Sequence, residues 1–197
     1  MSDPQREVRF NAVAPFEVRN GDSDQVQVTG YASVFNEETQ IGPVPGWGWG
    51  EVVAEGAFSE ALKRSDDVTF LVDHEGLPLA RTASGTLALT QDKRGLRVDT
   101  TLDATDPDVQ RILPKMQRGD LSKMSFAFIA EQQEWDETGD YPVRTIKSVR
   151  LFDVSIVTDP AYDGTEIGLR SKEAALGGGG EVHRRKMQMR WRLDGAG

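Results

Sequence analysis

The chain of 197 residues has no cysteine, only two histidines and no long apolar run. Each absence removes a class of function. Without cysteine there are no disulfides, thiolate metal sites or cysteine nucleophiles, which fits a reducing interior. A membrane-spanning helix needs roughly 20 consecutive apolar residues, and no stretch approaches that. The opening MSDPQREVRF lacks the apolar core of a secretory signal, so the sequence reads as cytoplasmic with no membrane association. One histidine within the body, scattered acids and no cysteine make a poor zinc site, and no cofactor is expected. Basic residues are also in deficit, 23 against 32 acidic ones, and the net charge of -9 argues against direct nucleic-acid binding by the body.

What is present suits a single domain large enough to bury a core. Its charge is uneven. Residues 181–197 carry Arg184, Arg185, Lys186, Arg190 and Arg192 against Glu181 and Asp194, a net of +3, which leaves -12 on the rest. The Gly177–Gly180 run reads as a flexible linker before this basic tail. The expected organisation is a flexible N-terminal arm over 1–24, a folded domain over 25–170 and a glycine-linked tail over 171–197. That tail serves as a solubilising end or as a docking segment.

Alternation from Val26 to Ala32 predicts a half-buried strand. The following loop, IGPVPGWGWG, offers Trp47 and Trp49 either as a substrate flap or as rings tucked onto the core. GAFSEALKR (56–64) has the spacing of a short amphipathic helix. Strands are expected at Val68–Val72, across Leu77–Thr90 with a turn at Ser84-Gly85, and at Gly95–Leu102. Asp106-Pro107 has the form of an N-cap with proline at the first helical position, opening a helix that Pro114 should kink or split. Met124–Glu131 and Arg144–Val157 complete the pattern and are expected to form a hairpin around the acidic turn Glu134–Tyr141. Many strands and two helices predict a mainly antiparallel α+β fold, with the sheet curled into a barrel or sandwich and the helices outside.

Three polar residues stand in otherwise apolar strand-like settings: His74 in FLVDHEG, Ser125 in LSKMSFAFIA and Asp153 in LFDVSIV. A hydroxyl, an imidazole and a carboxylate are the parts of a nucleophilic triad. The other histidine, His183, lies in the tail, so a histidine base in the body must be His74. Its neighbours Asp73 and Glu75 are expected to favour the imidazolium. Strand alternation puts Ser125, Ala127 and Ile129 on one face, with Ser122 as a competing nucleophile. Asp153 needs a partner to offset its burial. His74 is one candidate; Lys123, Lys147 and Arg150 are the others. The order His, Ser, Asp differs from the well-known triad orders, and the lack of a G-x-S-x-G elbow argues against the parallel-sheet hydrolase fold.

Six segments, GYASVFN (30–36), EVVAEGAFSEAL (51–62), FLVDHEGLPLA (70–80), SGTLALTQDKRGLRV (84–98), GDLSKMSFAF (119–128) and LFDVSIVTDPAY (151–162), together resemble the prohead (capsid maturation) proteases of tailed phages, distant relatives of the herpesvirus assemblins. The resemblance runs from about Val28 to Arg170. It implies an antiparallel barrel wrapped by helices and a serine endopeptidase in which His74 is the general base, Ser125 the nucleophile and Asp153 the third member. It also implies scaffold or capsid-protein segments as substrates, self-cleavage, self-association, and a location inside immature proheads in the host cytoplasm. Three positions depart from the family pattern: Asp73 stands where Asn is usual, Ala127 where Gly is common, and Asp153 where Glu is common. The last shortens the reach to His74 by one methylene. The rival readings are a non-catalytic capsid-assembly or scaffold protein that keeps the barrel, and a peptide-binding barrel gripping a partner with Trp47 and Trp49.

Overall fold

The computed structural model describes residues 6–11, 16–20, 24–44 and 46–158. The expected tail, its linker, His183 and the boundary near residue 170 lie outside them. The segment read as a flexible arm supplies two strands, β1 (Glu7–Asn11) and β2 (Glu17–Asn20). Their alternation is masked in the sequence because β1 carries charges, Glu7 and Arg9, at inward positions where apolar residues would normally announce a strand.

The chain continues through β3 (Gln25–Val34), β4 (Glu38–Ile41), β5 (Trp49–Val53), α1 (Ser59–Arg64), β6 (Thr69–Val72) and β7 (Glu75–Arg81). It ends with β8 (Leu87–Gln91), β9 (Gly95–Asp103), α2 (Pro107–Gln117), β10 (Lys123–Asp136) and β11 (Val143–Val157). The alternation read in β3 is realised: Val26, Val28 and Ala32 are buried while Gln25 and Gln27 are exposed. Asp106 caps α2 by accepting from the Asp108 amide at 2.8 Å. The expected break at Pro114 does not divide the helix, which runs as one element to Gln117. Val109, Ile112 and Met116 are buried along one face, and this docking offsets the amide that proline removes.

Two sheets share the core. Strands β2, β3, β9 and β8 form a four-stranded antiparallel sheet, and the other seven form a mixed one in which β1-β10-β11-β5-β4 are ordered in line, β6 pairs with β11, and β7 pairs with β6. In the mixed sheet β11 is the hub. It pairs with β10 in the long hairpin and, along its other edge, lies parallel to β5 at Val143–Ile146 and to β6 at Asp153–Ile156. The mainly β, α+β expectation holds, but the antiparallel barrel that the resemblance implies is not found among the described residues. The parallel pairs and the separate hydrogen-bonded paths of the two sheets leave no closed ring among the described residues. Phe58, Phe70, Phe126, Phe128, Val98 and Val154 belong to one core between the layers. Gly30 allows the layers to approach: a Cβ there would sit 2.7 Å from Phe16 Cβ and 3.1 Å from Met124 Sδ. Among the described residues no helix is long and apolar enough to cross a membrane.

A buried ionic cluster ties β1 to this hub. Arg144 is fully buried and donates to both Glu7 carboxylate oxygens at 2.7 and 2.8 Å, to Glu51 at 3.0 Å and to Gln133 at 2.6 Å. Arg9 donates to Glu51 and Glu7. Burial works against the Arg9 charge, yet the adjoining Glu51 and Glu7 outweigh it and hold its pKa above the ordinary value. Burial likewise opposes the Glu51 charge, and Arg9 and Arg144 overcome it to hold that carboxyl below its usual range. Two cations balance two anions. Arg144→Met should therefore destabilise the fold by about 3–5 kcal/mol, because it strands buried negative charge. Urea denaturation measures this, and a loss below about 1 kcal/mol would show that the cluster is not held dry.

Candidate active site

The turn between β6 and β7 places His74. Asp73 and His74 both adopt left-handed backbone, φ 48° and 61°, between the paired residues Val72 and Glu75. Two consecutive positive φ values are what a tight two-residue hairpin needs, so the turn is Asp73-His74 itself and Gly76 already belongs to β7. The turn is pinned to the end of β11. The Asp73 amide donates to the Ile156 carbonyl at 2.9 Å, and its carboxylate accepts from the Thr158 amide at 2.9 Å. Asp73, the residue that departs from the usual Asn, thus holds the turn by accepting hydrogen bonds.

Strand periodicity then brings three side chains to His74. Ser125 lies opposite Ser155, and Ala127 opposite Asp153, so Ser125, Ser155 and Asp153 share one face of the hairpin. The parallel pairing of β6 with Asp153–Ile156 carries the His74 turn to that face. His74 Nδ1 is 2.6 Å from Asp153 Oδ1, and Nε2 is 2.6 Å from Ser125 Oγ. All three residues singled out in the sequence meet, and Ser125 rather than Ser122 lies against the imidazole. The shorter Asp153 side chain reaches the ring without difficulty.

Asp153 is buried with both oxygens engaged. Oδ1 meets His74 and accepts from Ser155 Oγ at 3.0 Å, while Oδ2 is paired with the Arg6 guanidinium. The cation beside Asp153 is therefore Arg6, not Lys123, Lys147 or Arg150. Lys147 instead pairs with Glu134, and Arg150 with Glu131. Arg6 also lies over the Phe152 ring, 5.4 Å from its centroid. Arg6 and Ser155 are functional candidates that sequence reasoning missed. Ser155 carried a signal, being two residues from Asp153 on the same strand face.

The flanking acids do not produce the expected imidazolium. Burial is the main influence and, with the Arg6 charge, lowers His74 to about 4; Asp73 opposes this. Asp153, Ser155, Ser125 and Arg6 face the ring from β11, β10 and the residue just before β1. At neutral pH the ring is neutral. With Nδ1–H donated to Asp153, the Nε2 lone pair faces the Ser125 hydroxyl, the arrangement needed to accept its proton. The unfolded histidine, near 6.5, takes up a proton that the folded one refuses between pH 6.5 and about 4. The His74 contribution to stability is thus present above 6.5 and lost as pH falls toward 4. Arg6→Gln removes a nearby cation and should raise the His74 titration point in an NMR titration; an unchanged or lower value would show that Arg6 exerts no field there.

Of the two fates considered for the tryptophan loop, Trp49 is tucked in. It is fully buried in β5, its ring 5.9 Å from that of Trp135, so it cannot grip a partner, while Trp47 is half-buried against Gly42. Among the described residues no group of three or more His, Asp or Glu side chains could hold a metal ion.

No curated protein and no solved structure matches the chain. A family model does: that of the caudovirus prohead serine protease matches residues 14–177, spanning β2 to β11 and all three residues of the His74 cluster. With most of its length matched, the chain belongs to the caudovirus prohead serine protease family.

Proposed function

We propose that this chain is a serine endopeptidase in which Ser125 is the nucleophile, His74 the general base and Asp153 the group that orients it. The observation that carries this reading is the continuous contact Asp153–His74–Ser125, with both ring nitrogens at 2.6 Å from their partners. Ser125 Oγ attacks the peptide carbonyl carbon as its proton passes to His74 Nε2. Collapse of the tetrahedral intermediate breaks the C–N bond, and His74 gives the proton to the departing amine. Water, deprotonated by the same ring, then hydrolyses the acyl-serine ester. Asp153 keeps hydrogen on Nδ1 throughout and stabilises the transient imidazolium.

Family membership supports a protease role in phage capsid maturation. The finer reading is that the substrates are scaffold and capsid-protein segments within immature proheads, together with copies of this chain itself. For self-cleavage the proposed target is the run Gly177–Gly180, because it has the composition of a flexible linker and such sequences are favoured nicking sites.

Intact mass followed over time tests the reading. The purified chain should shorten with incubation, Ser125→Ala should remain full length, and Ser122→Ala should shorten as the parent does. Truncation lost only with Ser122→Ala would move the nucleophile. Equal truncation in all three would assign the cleavage to another agent.

A further inference from the structure

The Ser125 side chain is fully buried, and the chain's own β1 contributes to its cover. β1 pairs antiparallel with β10 from Glu7 opposite Phe128 to Asn11 opposite Met124, which sets Phe10 opposite Ser125. The Arg9 carbonyl oxygen accepts from Ser125 Oγ at 2.9 Å, while His74 Nε2 lies 2.6 Å from the same oxygen. A hydroxyl has one hydrogen, so the two acceptors compete for it. When it goes to Arg9 it is unavailable to the base. The contact is also a hydrogen bond to the carbonyl oxygen, whereas attack requires approach to the carbonyl carbon. At the same time Arg6 occupies Asp153 Oδ2.

Two side chains of β1, Glu7 and Arg9, are held as well as its backbone. Glu7 and Arg9 project together into the ionic cluster and there meet Arg144 and Glu51, which also bond each other at 3.0 Å. Removing β1 therefore leaves a charge-balanced Arg144–Glu51 socket beside an open β10 edge. Strand addition to such an edge gains affinity from main-chain bonds and specificity from alternate side chains. β1 also lies before the matched family stretch, which begins at residue 14.

We infer that β1 is a displaceable strand that holds the serine site closed, and that the β10 edge beneath it accepts an extended peptide with an acidic and a basic residue spaced as Glu7 and Arg9 are. The regulatory part rests on the serine-protease reading; the exchange of strands does not.

The test uses the full chain with Glu7→Gln and Arg9→Gln together, which loosens β1 while leaving Arg144 and Glu51 to pair. Binding of a fluorescent peptide of residues 1–11 is read by anisotropy, and reactivity of the serine by the rate of fluorophosphonate labelling. Circular dichroism confirms that both proteins are folded. The loosened chain should bind the peptide at least 10-fold more tightly than the parent and label at least 10-fold faster, with added peptide suppressing the labelling. A peptide with Glu7 and Arg9 exchanged should bind more weakly. No peptide binding by the folded, loosened chain, or a parent that labels as fast as the loosened chain, overturns the inference. Tight peptide binding with no labelling of either protein would uphold strand exchange and count against the serine-protease reading.

Discussion

His74→Ala is expected to lower peptide-bond hydrolysis by about a million-fold, Ser125→Ala by a similar factor, and the two together by no more than either alone. The non-additivity follows from the geometry. In the proposed mechanism one proton passes between Ser125 Oγ and His74 Nε2, which lie 2.6 Å apart, and each is useless to the reaction without the other. A buried hydroxyl without a base cannot shed its proton as it attacks, and a base without the hydroxyl has nothing to activate. Rates of self-truncation or of cleavage of an added peptide measure this. A double variant much slower than either single one would show that the residues act independently, and the shared-proton account would fail.

Asp153→Asn is expected to cost about 10,000-fold with the fold retained. Its cause here is specific. The side-chain amide has one acceptor oxygen and one donor nitrogen, and Arg6, a pure donor, occupies the Oδ2 side. The amide oxygen will turn to Arg6, which presents the NH2 group to His74 Nδ1. The ring must then carry its hydrogen on Nε2, facing Ser125, and it can no longer accept the serine proton. Arg6→Gln in the Asp153→Asn background removes the constraint that fixes the amide and should recover part of the loss. Nitrogen shifts of His74 report the tautomer directly. An Asp153→Asn chain that keeps its hydrogen on Nδ1, or retains more than a tenth of the parent rate, would contradict this role.

The core of this site was legible because each member breaks a local pattern. Asp153 is the lone charge in LFDVSIV, Ser125 the lone hydroxyl in MSFAF, and His74 the histidine of the body. Elements whose period is visible, such as β3 and the capped helix α2, were legible for the same reason. Three things were not. β1 turns charge inward at Glu7 and Arg9, which hydropathy cannot reveal, and their partners Glu51 and Arg144 lie 42 and 137 positions away in the pairs formed. The parallel pairing of β11 with β5 and β6 is long-range and leaves no local mark, so an antiparallel barrel was the natural expectation. The His74 ionisation could not be judged from Asp73 and Glu75, because burial and a cation from the chain's start dominate it.

The most direct measurement is the location of the adduct that a fluorophosphonate forms on the full chain, mapped by peptide mass in the parent and in His74→Ala. The account predicts one modified residue, Ser125, and loss of that modification when His74 is replaced. An adduct on Ser122, or labelling of Ser125 that is indifferent to His74, would contradict it.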